Sequence, residues 1–313
     1  MGAYIVRRLA AAVLVMAIVG SFVFLLLHIA PGDPAAIIAG DTGTPENIAA
    51  IRARLGLDAP LVEQFGRWVW QLLHGDLGTS VFTEVPVMRL VGQRIQPTIS
   101  LAAVTLMISI TIAVMAGVIA AWRAGGALDR LVVGFAALAY SVPVFVLGYL
   151  FIYFFAIRFR WLPVQGYVGI DHGFWPWFSH LILPSIALGF AYQALIARIT
   201  RATMLEVLEE DYIRTAAAKG VSVPSLLLWH ALKNAGIPIV TVIGIGVAGL
   251  LSGVVITETV FNIPGVGRLI VDAVANRDYP IIQGLLILFS GVYVLINLGV
   301  DLIYTVIDPR IRY

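Results

Sequence analysis

The chain has 313 residues, 60% of them hydrophobic, and carries 20 Lys and Arg against 18 Asp and Glu, so that only 12% of its side chains are charged. Soluble domains carry roughly twice that fraction, which excludes an ordinary water-soluble enzyme. A formal net charge of +2, with the basic residues scattered between apolar runs, argues against a nucleic-acid surface, and the absence of Cys excludes disulfides, iron–sulfur clusters and thiolate chemistry.

In chain order, apolar runs cover residues 9–29, 98–121, 131–157, 181–197, 235–257 and 284–307, each near the roughly 20 residues a membrane-crossing helix needs. The first follows Arg7 and Arg8 and is longer than the ~7–15 apolar residues of a secretory leader, so it reads as a retained anchor. The pattern predicts an all-α integral membrane protein with six transmembrane helices in contact with membrane lipid. An extracytoplasmic helical subdomain, residues 30–97, follows the first helix (residues 1–29 with its tail), and a five-helix core fills 98–313.

Orientation follows from the basic residues. Arg7, Arg8, Arg123, Arg130, Arg198, Arg201, Arg214, Lys219, Lys233, Arg310 and Arg312 fall on one side, at about twice the density of the other, which the positive-inside rule makes cytoplasmic. Both termini then lie in the cytoplasm. Placing Arg198 and Arg201 at mid-membrane would cost about 2.5–3.5 kcal/mol each, so the fourth span is expected to end near Ala197. Pro143, Pro184 and Pro238 are expected to kink their helices.

Within the outer segment, Thr44 and Pro45 read as an N-cap and first helical position. Leu61, Phe65, Trp68, Leu72 and Leu73 recur at helical spacing, as in a helix braced on the membrane rim.

Catalytic machinery is not visible. His28, His74, His172, His180 and His230 lack HExxH spacing, and no GxxxxGK[ST] loop cradles a nucleotide. Gly244, Gly246 and Gly249 spell GxGxxG, but inside an apolar run without a preceding strand; with Gly253 they form a small-residue face for close helix packing. Asp301, four residues after Asn297 on the same face, needs a partner such as Arg123 or Arg198, or a wet pathway.

The loop 198–233 is the informative one. Residues 209–219 begin acidic and end in Lys219, as a helix dipole favours, and Gly220 stops the helix. Ser222 suits an N-cap and Pro224 a first turn. The result is a bent elbow at about 206–233, low in profile at Ala216 and Ala217 and ringed by Asp211, Arg214 and Lys219. Such a shape suits insertion into a groove of a cytosolic protein.

The segment Asp211-Tyr212-Ile213-Arg214-Thr215-Ala216-Ala217-Ala218-Lys219-Gly220 resembles the EAA loop of ATP-binding cassette (ABC) importer permeases, in its dipeptide, oligopeptide and nickel subfamily form. The Arg7-Arg8 start, Pro31-Gly-Asp-Pro34, His74-Gly-Asp-Leu-Gly78, Glu258-Thr-Val-Phe-Asn-Ile-Pro-Gly-Val-Gly267 and Asp308-Pro-Arg-Ile-Arg312 resemble the same subfamily, across essentially the whole chain. Arg214 stands where the general pattern has Glu, and Pro238 comes later than that pattern's proline.

The resemblance implies a type I ABC importer permease fold and half of a translocation pathway for peptides. It also implies a second homologous permease in a heterodimer, two cytosolic ABC ATPase subunits that consume ATP and Mg2+, and an extracytoplasmic peptide-binding protein. This chain itself would be no enzyme and bind no cofactor or metal. The coupling residues would be Asp211, Tyr212, Arg214, Thr215, Ala216, Ala217, Lys219 and Gly220. On the fifth helix Thr241, Ile245, Ala248, Ser252 and Thr259 share roughly one stripe, expected to wall the passage. The alternatives are a stand-alone secondary carrier, which should show buried coupling-ion groups, or the same importer role with a nickel chelate or glutathione-like cargo. An intramembrane enzyme lacks the nucleophile or ligand set it would need.

Overall fold

The computed structural model describes residues 2–29, 33–40, 43–139 and 141–307, and apart from one antiparallel bridge between Thr79 and Pro86 the regular structure in them is helical. The helices run α1 (Gly2–Ile29), α2 (Pro34–Ala39), α3 (Pro45–Leu55), α4 (Leu61–Leu73), α5 (Val87–Trp122), α6 (Ala127–Ala139) and α7 (Val144–Phe151), which winds on as a π-helix over Ile152–Arg158. Then come α8 (Phe174–Leu208), α9 (Asp211–Ala218), α10 (Val223–Ser225), a π-helical stretch Leu226–Ala231, α11 (Leu232–Asn234), α12 (Gly236–Val260), α13 (Val266–Ala275) and α14 (Tyr279–Ile307).

Five helices, α1, α5, α8, α12 and α14, are long and apolar enough to cross a membrane, and α6 with α7 and its π extension adds a sixth span if that bent pair is taken as one. The run 131–157 is therefore bent, as expected at Pro143. Pro143, extended at φ −61 and ψ 142, caps α7 instead of continuing α6, because it lacks an N–H and biases its predecessor away from helix. Pro184 lies inside the unbroken α8, whereas Pro238 falls in the first turn of α12, where an N–H is not required. Past Ala197, where the fourth span is expected to end, α8 continues as helix to Leu208. Pro31, Gly32, the 308–312 ending and the side chain of Asp301 lie outside the described residues, and so do the ion pairs expected of Asp301.

The chain forms two compact units, Met1–Gln96 with Gly265–Val294 and Pro97–Pro264 with Leu295–Tyr313. This division departs from the chain-order one, because 265–294 packs with the N-terminal part. In the first unit Thr44 Oγ1 accepts the Asn47 N–H at 3.2 Å, so Thr44–Pro45 does open α3. Phe24 of α1 meets Phe65 and Trp68 of α4 at 5.2 and 5.7 Å, while Val62 and Leu73 on another side of α4 stay exposed. Ser80 donates to Asp278 at 2.5 Å, and Val87, Val91, Val266, Leu269, Ile281 and Leu285 make the unit's buried core.

The second unit is built around α8. Lipid supplies no hydrophobic drive between membrane helices, so close packing of small residues must hold them. Accordingly, a Cβ on Gly253 would come 2.5 Å from Leu188, and one on Gly246 would overlap the Tyr192 ring. The Tyr192 hydroxyl donates to the Ile243 carbonyl across the same contact. Gly244 likewise faces Val300, leaving only 2.7 Å for a Cβ, whereas Gly249 faces open space. On α5, Gly117 packs against Thr200. Gly246→Ala is expected to destabilise the purified protein by about 1–3 kcal/mol, the usual cost of overpacking. The melting temperature in detergent measures this, and an unchanged value would contradict the contact.

Candidate coupling loop and pathway face

The loop after α8 is closed by backbone geometry. Gly220 has φ +80, the Val221 N–H reaches the Ala216 carbonyl at 3.3 Å, and the Gly220 N–H reaches Ala217 at 3.0 Å. This pair of bonds is the Schellman ending, in which the left-handed residue is most easily glycine. No heavy atom lies within 4 Å of where a Gly220 Cβ would stand, so backbone conformation rather than space selects the glycine.

The elbow has an apolar core of its own. Ile213 packs with Met204 of α8, Leu226, Ala231, Ala235 and Ile239 of α12, and with Val118 and Ala121 of α5. Ala216 turns partly into this cluster, whereas Asp211, Arg214, Thr215, Ala217, Lys219 and Gly220 are exposed. Tyr212 is 41% exposed, and its hydroxyl accepts from Asn234 Nδ2 at 2.8 Å. The same Asn234 amide caps the His230 carbonyl at 2.8 Å, tying α9 to the π-helical stretch. Arg214 and Asp211 approach to 3.5 Å, but at 71% and 97% side-chain exposure such a pair holds little. Ser222 takes the N-cap position of α10 without a side-chain bond.

Beyond its first turn, the exposed residues of α12 are Ile245, Gly249, Ser252, Ile256 and Thr259, with Thr241 partly exposed in line with them. Spacings of four and three residues put these on one face. Ala248, expected on this stripe, is only 7% exposed. It sits at the edge of the face turned toward the chain's own helices, and Gly249 takes its place. Thr241 and Thr259 hydroxyls donate to the carbonyls four residues before them, at 2.8 Å each, so the face is sparsely polar.

Sequence reasoning missed three features. Asp129, 4% exposed, takes a forked bond from Arg201: Nη2 reaches Oδ2 at 2.8 Å and Nε reaches Oδ1. The Gly125 N–H adds a third bond at 2.8 Å. Bidentate geometry fixes α6 to α8 at a set angle. Glu258, fully buried on α12, accepts from Thr98 of α5 at 2.6 Å. Nothing in the spacing of these residues pairs them. The π-helical stretches also had no signal, since their composition is that of ordinary helix. Among the described residues no group of three His, Cys, Asp or Glu is placed to hold a metal.

Among the described residues, the chain thus combines helices long and apolar enough to cross a membrane with a short loop helix closed by a left-handed glycine and a sparsely polar exposed face on α12. Residues 113–313 match the family of binding-protein-dependent transport system inner membrane components, and residues 1–102 match the N-terminal part of such components. The chain belongs to this family. It is 62% identical over its whole length to a protein of Sinorhizobium fredii named as a peptide ABC transporter permease, again over that protein's whole length. It is 44% identical over 99% of both chains to the glutathione transport system permease of Escherichia coli. In fold it resembles the MetNI methionine ABC transporter in an inward facing conformation, with a TM-score of 0.58 at 18% identity over 71% of this chain and 97% of that one.

If the fork is what holds α6 on α8, Asp129→Ala and Arg201→Ala each lower the melting temperature, and the double variant loses less than the two losses added. Strict additivity would show that the two side chains do not interact.

Proposed function

We propose that the chain is one half of the membrane pathway of an ATP-driven importer whose cargo is peptide. The family shows a transport permease that works with a binding protein. Peptide as cargo is supported by the 62% identical relative, and the glutathione permease, whose cargo is itself a tripeptide, is consistent with it. A nickel chelate has no support in these likenesses, and neither has a stand-alone carrier, since members of this family act with a binding protein.

In this reading the elbow faces the cytoplasm, both termini lie there too, and the membrane is the bacterial inner membrane. The exposed side of α9, with Asp211, Arg214, Thr215, Ala217 and Lys219, docks in a groove of a cytosolic ATPase; Tyr212, Ala216 and Gly220 keep it in shape. Two such ATPases bind ATP and Mg2+, a second, homologous permease completes a heterodimer, and an extracytoplasmic peptide-binding protein delivers cargo. The face of α12 through Thr241, Ile245, Ser252 and Thr259 lines the passage, while Ala248 supports it from behind. Weak polarity there lets peptide leave without being gripped, so selection rests with the binding protein.

The observation that carries the reading is the elbow itself: a short helix closed by a left-handed glycine and cemented by Ile213 to the feet of α8 and α12. Gly220→Val forces a β-branched residue into the left-handed region at a cost of roughly 1–2 kcal/mol. Membrane insertion is expected to stay normal while peptide uptake by the complete system falls about tenfold or more. Wild-type uptake in this variant would contradict the docking role.

A further inference from the structure

The first unit contains a cavity of about 780 Å³, within the roughly 300–1,000 Å³ of sites that take small ligands. Its lining is neither apolar nor of one charge. Phe24, 6% exposed, and Trp68 present aromatic surface. Asn47 and Gln71 supply amide groups, and among the described lining residues the charged ones are a single cation, Arg67, and a single anion, Asp76.

Neither charge is committed to a strong ion pair among the described contacts. The Gly78 N–H donates to Asp76 Oδ1 at 2.8 Å, in the turn after α4. The Arg67 guanidinium lies over Gly56, where a Cβ would stand 3.4 Å from Nη1, and it meets Glu63 only loosely, at 3.7 Å between two exposed side chains. Neither charge therefore loses much by turning to a ligand.

An anion or a cation alone would match one of these groups and be repelled by the other, and a neutral apolar molecule would strip water from both. A molecule with an ammonium at one end and a carboxylate at the other satisfies the pair. Amides between those ends suit Asn47 and Gln71, and an apolar side chain suits Trp68 and Phe24. We infer that this cavity is a binding site for a short free peptide, its carboxylate on Arg67 and its amino terminus on Asp76. The inference rests on the peptide-transport reading for the identity of the zwitterion, and it gives this chain a cargo site of its own in the segment read as extracytoplasmic.

The test is calorimetric titration of alanyl-phenylalanine into the assembled transporter in phosphatidylglycerol nanodiscs, without binding protein. Saturable binding is expected. Arg67→Gln and Asp76→Asn should each weaken it about tenfold or more, the effect of losing one charge-assisted bond, and N-acetylated, C-amidated alanyl-phenylalanine, which loses both, should bind more weakly still. The blocked peptide needs no variant, so a folding defect cannot mimic the result. No saturable binding, equal binding of the blocked peptide, or unaffected variants would overturn the inference. Phosphatidylethanolamine carries the same two charges, and displacement of the peptide when that lipid is added would assign the site to a headgroup instead. Peptide uptake by the complete system is measured alongside. Uptake without cavity binding overturns this inference alone, whereas no uptake overturns the transport reading.

Discussion

The close approach of α8 and α12 is the constraint on which the second unit depends. Between membrane helices, van der Waals contact and hydrogen bonds must supply what the hydrophobic effect supplies in water. Gly246 and Gly253 remove the side chains that would keep the helices apart, letting the Tyr192 ring and Leu188 fill the space. The Tyr192 hydroxyl then bonds to the Ile243 carbonyl, so the ring that packs also anchors. The two helices are thereby held together at successive positions along their length.

That pairing connects the elbow to the exposed face. Met204 near the end of α8 and Ile239 near the start of α12 share one apolar cluster with Ile213 of the loop helix. In the proposed coupling, a push on α9 would meet the ends of both helices at once, since all three share that cluster. Asp129 and Arg201 add α6 to the same body, and Thr98 and Glu258 add α5 at the other end of α12. Buried polar pairs of this kind are specific in geometry more than they are stabilising, which suits elements that must keep their angles while the body moves.

Much of this was readable from residue order. Glycines at small-residue spacing predicted close packing at positions 244, 246, 249 and 253, because in lipid only a missing side chain lets backbones approach; three of them pack so, and Gly249 faces open space. Gly220 was readable for a related reason, since a left-handed helix ending selects glycine. Thr44 and Pro45 marked a helix start through local chemistry alone. What escaped depends on distance in the chain: Asp129 and Arg201 are 72 positions apart and Thr98 and Glu258 are 160 apart, and no periodicity relates them. Ala248 shows the limit of a stripe drawn at ideal helical spacing. The stripe is an arc, and only the packed neighbours decide which edge of it is covered.

In the proposed coupling, the loop helix and the exposed face of α12 move as one body. Because the chain lacks Cys, spin labels attach only where cysteine is introduced, at Ala218 on α9 and Ser252 on α12. The separation of the two labels, measured by electron–electron resonance in the nucleotide-free and ATP-trapped transporter, is predicted to be the same in both states while the distance from Ser252 to the partner permease changes. A shift within the subunit as large as the shift between subunits would contradict the account.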